Sequence, residues 1–217
     1  MFDQINGEES LVKVVKELVV SIWAVQGLKD FYISFEFEDV NKWHTYSTFF
    51  CHQGLEKISK AYLIATRSAE YENLGEEETL KKVNDIAKQY QHSLQKLLEA
   101  LISLNALTRA DVSRRVERYT GQENVDVLEK AYIESRYPVP LPIYKKFPVS
   151  GQSIYKMYHD PLGSTAPIKY SRKLALAVLM KIEEDFGIAI PRQKLATHIS
   201  DGDWKRFCNL FFGPESR

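Results

Sequence analysis

The chain is 217 residues long, 44% hydrophobic and 27% charged, with 29 basic residues balanced by 29 acidic ones. That is the balance of an ordinary globular protein, not of a disordered or fibrous one, and the length suits one main domain with room for a small appendage. A formal net charge of +0 excludes a global field that would draw the protein to a phosphate backbone or an anionic lipid surface, so any nucleic-acid contact must be a local patch.

From Ser10, the apolar residues Leu11, Val14, Val15, Leu18, Val19, Ile22 and Trp23 recur at helical spacing and predict a first helix, with Gly27 offering a left-handed stop. Leu18 to Val25 follows Lys13, Lys16 and Glu17 and lacks a small-residue cleavage site, so it does not read as a signal peptide, and it is too short to cross a bilayer. Phe31, Ile33, Phe35 and Phe37 then alternate with Tyr32, Ser34, Glu36 and Glu38. This period suits an extended segment, read here as an ordered loop whose aromatic side pads a bundle, or as the wall of a small-molecule pocket.

A second helix is expected from about Asn41 to Thr66, turning Tyr46, Phe49, Phe50, Leu55, Ile58, Ala61, Tyr62 and Ala65 inward. A third long helix is marked by Leu80, Val83, Ile86, Ala87, Tyr90, Leu94, Leu97, Leu98 and Leu101. Thr108 with Asp111 resembles a capping arrangement for a fourth helix that Gly121 would end, and a fifth runs from about Asn124 to just before Pro138. Prolines 138, 140, 142, 148, 161 and 167 make residues 138–169 a long irregular connection, because proline removes backbone donors. A last strong helix opens at Ser171 and closes at Gly187, and a short amphipathic piece around Trp204, Phe207 and Phe211 is expected to dock on the bundle. The fold class is therefore all-α: an up-and-down bundle of four or five helices over residues 8–187, with a long proline-rich loop and a C-terminal extension over residues 188–217.

Three strings in this order carry a family likeness. They are Gln53-Gly54-Leu55-Glu56-Lys57-Ile58-Ser59-Lys60-Ala61-Tyr62-Leu63, then His92-Ser93-Leu94 followed by Leu97 and Leu98, then Ala131-Tyr132-Ile133-Glu134-Ser135-Arg136-Tyr137-Pro138. Together they resemble the HEPN family, the higher eukaryote and prokaryote nucleotide-binding domains, over roughly residues 11–187. The resemblance implies a helical bundle that often dimerises and three kinds of role: toxin-like ribonucleases in toxin–antitoxin pairs, partners of a small nucleotidyltransferase, and members without chemistry. The ribonuclease branch is marked by an arginine, four to six residues, and a histidine, contributed by two subunits; a cation holding phosphate and an imidazole moving a proton suit cleavage by an internal 2′-hydroxyl. At the matching position, Arg136 to Ile143 contains no histidine in range, whereas Arg192 to His198 has the spacing but lies after the last bundle helix.

Gln53, Lys57 and Lys60 fall on neighbouring turns and form a candidate nucleotide-binding patch. The plainer reading is a solvated face with a Glu56–Lys60 pair contributing about 0.3–0.5 kcal/mol. His92 is a candidate acid or base, since imidazole titrates near neutral pH, or else a hydrogen-bonding link to a neighbouring helix. Arg136 is a candidate phosphate contact or a helix-terminal cap. Arg109, Arg114, Arg115 and Arg118, interrupted by Asp111 and Glu117, form a basic run that could steer RNA, hold an acidic partner or simply be solvated.

His44, His52 and His159 show no metal-ligand pattern, so no metal or other cofactor is expected. No phosphate-cradling glycine loop, nucleophile elbow or paired-carboxylate motif is present. Cys51 and Cys208 lack redox or zinc spacing, which favours reduced thiols and the cytoplasm, and no membrane association is expected. The leading expectation is a nucleotide-binding or protein-interaction module without catalysis, a homodimer with a possible nucleotidyltransferase or other cytosolic partner. The alternative is a metal-independent endoribonuclease using Arg192 and His198, or His92 with Arg136.

Overall fold

The computed structural model describes residues 7–39, 44–71, 73–136, 165–190 and 199–213. Its helices are α1 (Gly7–Asp39), α2 (His44–Thr66), α3 (Glu76–Gln89), α4 (Leu94–Ser103), α5 (Arg109–Ser113), α6 (Gly121–Arg136), α7 (Ala166–Phe186) and α8 (Asp201–Phe212), with a 3-10 turn at Ser68–Glu70. Among the described residues there is no strand, only an isolated bridge between Val116 and Tyr119. The expected all-α helical bundle is what forms. No helix among the described residues is long and apolar enough to cross a membrane.

Helix α2 is the axle. It packs against α1, α3, α4, α6 and α7, and from Gly54 to Ala65 every residue except Lys57 is buried. A helix enclosed on all sides has no solvated face to sort polar from apolar residues, so Glu56, Ser59 and Lys60 lie inside with Leu55, Ile58 and Leu63. Each fully buried leucine or isoleucine contributes about 2 kcal/mol by leaving water.

The first helix does not stop at Gly27. It continues to Asp39, and residues 31–37 are helical, neither loop nor strand. Val20, Ala24, Leu28, Phe31 and Phe35 repeat at steps of four and three, and all are buried. This helical period runs beneath the two-residue alternation and wins because it extends the stripe already set by the preceding turns. Gly27 serves a close crossing instead: a Cβ there would lie 2.6 Å from Ile58 Cγ1 and 2.8 Å from the Gly54 carbonyl oxygen, and one on Gly54 would lie 2.6 Å from the Phe31 ring. Two glycines let α1 and α2 touch backbone to backbone.

Further boundaries differ from expectation for local reasons. The third helix is two helices, broken at residues 90–93, where Gln91 adopts φ 50° and the Ser93 hydroxyl accepts from Lys96 N to cap α4. Leu80 and Tyr46, both expected inside, are about half exposed. The Thr108–Asp111 capping box forms, but α5 ends at Ser113. Gly121 opens α6 rather than ending a helix: Thr120 N donates to Glu123 Oε2 at 2.7 Å and Glu123 N donates to Thr120 Oγ1 at 3.2 Å, a second reciprocal cap. Helix α7 starts at Ala166, ahead of Ser171, because Pro167 sits in its first turn, where no backbone donor is required. Its end at Gly187, with φ 65°, is as expected.

Helix α8 packs on α1. Trp204, Phe207 and Phe211 are buried, with ring centroids 5.5 Å between Tyr32 and Phe207 and 5.0 Å between Phe31 and Phe211. Of the aromatic segment read as bundle padding or as a pocket wall, Phe31, Tyr32 and Phe35 pack against this helix. The proline-rich stretch over residues 138–164 lies outside the described residues.

Candidate functional site

The residues that carry chemistry gather along one side of α2. His52, Glu56 and Lys60 stack at intervals of four, and the 90–93 turn lays His92 across them. Lys60 Nζ donates to Glu56 Oε1 at 2.7 Å and to the Gln91 carbonyl oxygen at 2.7 Å. His92 Nδ1 lies 3.1 Å and 3.2 Å from the two Glu56 carboxylate oxygens. The break between α3 and α4 therefore has a function in the fold: the left-handed residue at 91 turns its carbonyl to Lys60 and brings the next side chain over Glu56.

Helix α6 supplies the third wall. The Tyr132 ring stacks on His52 at 4.6 Å and 20° and on His92 at 4.8 Å and 29°. Beside it, Glu129 Oε1 accepts from Ser93 Oγ and Gln95 N, both at 3.2 Å, tying the start of α4 to α6. The Glu56 and Lys60 side chains are only 6% and 7% exposed, so the pair is buried and not the solvated link expected. A buried pair resists removal of either partner, because the survivor is left as an uncompensated charge.

The two histidines differ in kind. His52 is fully buried, its Nδ1 is 3.7 Å from Glu56 Oε2, and neither ring nitrogen has a hydrogen-bond partner among the described residues. Burial pushes its pKa down to about 4, against the opposing pull of the Glu56 charge, so the ring is neutral at neutral pH. His92 is 53% exposed at its side chain. Because a carboxylate only accepts, its Nδ1 carries the proton, and Nε2 is an acceptor when the ring is neutral and a donor when it is charged. A carboxylate that fixes the tautomer of a half-exposed imidazole is a layout that supports either ligand hydrogen bonding or proton transfer.

The Gln53–Lys57–Lys60 stripe divides between neighbours. Lys57 Nζ reaches Asp30 Oδ2 of α1 at 2.6 Å, while Lys60 faces the 90–93 turn. Burial raises the Asp30 pKa and the nearby Lys57 ammonium opposes that rise. Each ammonium is thus committed to a carboxylate, and Gln53 keeps a buried amide nitrogen without a partner among the described residues. Arg136 closes α6 one turn beyond Tyr132, its side chain outside the described set, and Arg192 and His198 also lie outside it. Among the described residues no group of three or more histidine, cysteine or acidic side chains is arranged to hold a metal ion.

His92, Lys60 and Gln53 stand out in the sequence, whereas Glu56 reads there as a surface partner and His52 and Tyr132 carry no site signal of their own. The available signal is the spacing of His52, Glu56 and Lys60, three ionisable residues on one stripe of α2. No family model, curated protein or solved structure matches this chain.

Proposed function

We propose that this protein is a HEPN-like helical domain that binds a nucleotide and acts by association, as a cytoplasmic homodimer and with a further protein such as a nucleotidyltransferase, without catalysing a reaction itself. One observation carries the proposal. The three strings of the family resemblance converge in one cluster in which Glu56 holds both Lys60 and His92, 36 residues further on, and Tyr132 stacks on His92. Absence of catalysis is supported by the charge balance of that cluster: its lysine and carboxylate neutralise one another in a buried pair, so neither is available to stabilise a developing charge. His92, half exposed and oriented from behind, is the cluster's point of contact with a nucleotide, while Lys57, paired with Asp30 of α1, lies to one side of it.

A thermal-shift series with mono-, di- and triphosphates of adenosine and guanosine tests this. At least one should raise the melting temperature, since a ligand bound only by the native state at a hundred times its Kd contributes about 2.7 kcal/mol. The shift should vanish in His92→Ala. No shift with any nucleotide contradicts the proposal.

The endoribonuclease reading is favoured by one specific feature, the His92 Nδ1 contact with the Glu56 carboxylate, which would suit His92 as a base toward a 2′-hydroxyl. Incubation with structured and single-stranded RNA in EDTA separates the two. The binding reading expects intact RNA; cleavage lost in His92→Ala or in His198→Ala would replace it with the nuclease.

A further inference from the structure

The balance of charge around His92 gives the cluster a second property. From α2, Glu56 is shared: Lys60 Nζ donates to Oε1 at 2.7 Å, and His92 Nδ1 lies 3.1 Å from the same oxygen and 3.2 Å from Oε2. His52 is on the same helix; burial keeps it neutral, and the positive charges of His92 and Lys60 act in the same direction. From α6, the Tyr132 ring stacks on the imidazole at 4.8 Å, and Glu129 accepts from Ser93 Oγ and Gln95 N at the start of α4. Lys88 in the last turn of α3 and Lys96 in the first turn of α4 are exposed.

Glu56 and Lys60 cancel before His92 is counted. With a neutral imidazole the three side chains sum to zero charge, and Nε2 presents a lone pair to any phosphate oxygen, acceptor against acceptor. A proton on Nε2 changes both terms at once: the trio carries one net positive charge, and the half-exposed edge of the ring becomes a donor. Nδ1 stays on Glu56, so the new donor keeps one direction, and the stacked Tyr132 ring favours the cation. Imidazole is the side chain that makes this change between about pH 5 and 8.

We propose that protonation of His92 switches this cluster on as a binding site for a tetrahedral oxyanion, the phosphate group of its ligand. This switch rests on the nucleotide reading of the cluster and adds its regulation: phosphate is taken up together with a proton, so affinity rises as pH falls through neutrality. The Glu56–Lys60 pair is a counterweight and not a ligand. Without the lysine, the imidazolium would only neutralise Glu56, and no net charge would remain for the anion.

Proton–carbon NMR of the His92 ring in the full chain, titrated through neutral pH in sodium sulfate and in sodium chloride of equal ionic strength, tests it. Sulfate keeps a constant charge across this range, so a change in midpoint belongs to the protein. Sulfate should raise the His92 midpoint by about one pH unit, a tenfold preference for the charged ring. K60M should abolish that rise, and K88Q/K96Q should preserve it; circular dichroism checks that each variant folds, and if K60M does not, the wild-type and K88Q/K96Q titrations decide. Equal midpoints in the two salts, a rise that a folded K60M retains, or a rise that K88Q/K96Q removes would overturn the switch. A nucleotide that raises the melting temperature while sulfate leaves the midpoint unmoved keeps the nucleotide reading and rejects the switch. A sulfate-dependent midpoint with no thermal shift from any nucleotide does the reverse.

Discussion

At the scale of single residues, groups that are costly to bury define the cluster. Glu56 and Lys60 satisfy one another, and Lys60 spends a further donor on the Gln91 carbonyl. His52 is different, since it is enclosed with both ring nitrogens unsatisfied among the described residues and a pKa lowered to about 4 from an ordinary 6.5. The native state therefore binds that proton less readily than the unfolded chain. Stability from this group is fully present above about pH 6.5 and is lost as pH falls toward 4, on the order of 3 kcal/mol across the window. Urea unfolding midpoints of wild type and His52→Phe, compared at pH 7 and pH 4.5, should show a steeper acid loss in wild type; parallel losses would contradict it. Lys60 and His92 were visible in the sequence as chemically interesting residues. The burial of Lys60 and the meeting of both side chains at Glu56 were not, because a spacing of four says only that side chains are neighbours, and enclosure of α2 depends on five other helices.

At the scale of elements, the caps were the most legible part. Thr108 with Asp111 and Gly187 at the end of α7 behave as their residue types demand, and Thr120 with Glu123 carried the same kind of signal. Glycine was harder to read. Gly27 suits a helix end by type, yet it sits mid-helix because α2 presses against it at Gly54, a fact decided by a partner 27 residues away. Gly27→Ala and Gly54→Ala should each destabilise by about 1–3 kcal/mol from overpacking, outweighing the gain of about 1 kcal/mol in helix propensity. Chemical denaturation followed by far-ultraviolet circular dichroism would check this, and a neutral or stabilising result would show that the two helices are not in backbone contact. The division of α3 from α4 was equally hidden, because the leucine period continues through the turn while Gln91 and Ser93 interrupt the backbone.

At the scale of the molecule, one buried helix organises everything else. α1 covers one flank of it and is itself backed by α8 through a run of aromatic contacts, while α4 and α6 hold the polar cluster against another flank. The bundle was legible from periodicity alone, because amphipathic stripes need only a core to face. The site was legible only as separate strings, because their convergence is a property of the packing. The central claim is that His52, Glu56, Lys60, His92 and Tyr132 act as one network through which a nucleotide is met at His92. Long-range nitrogen–proton NMR of the histidine rings, recorded across pH and with the nucleotide that gives the largest thermal shift, tests it most directly. The account predicts His92 protonated on Nδ1 in its neutral form, a ligand-induced change at its Nε2, and a His52 ring that stays neutral until about pH 4. A His92 of the opposite tautomer that ignores the nucleotide, or a His52 that gains its proton near neutrality, would contradict it.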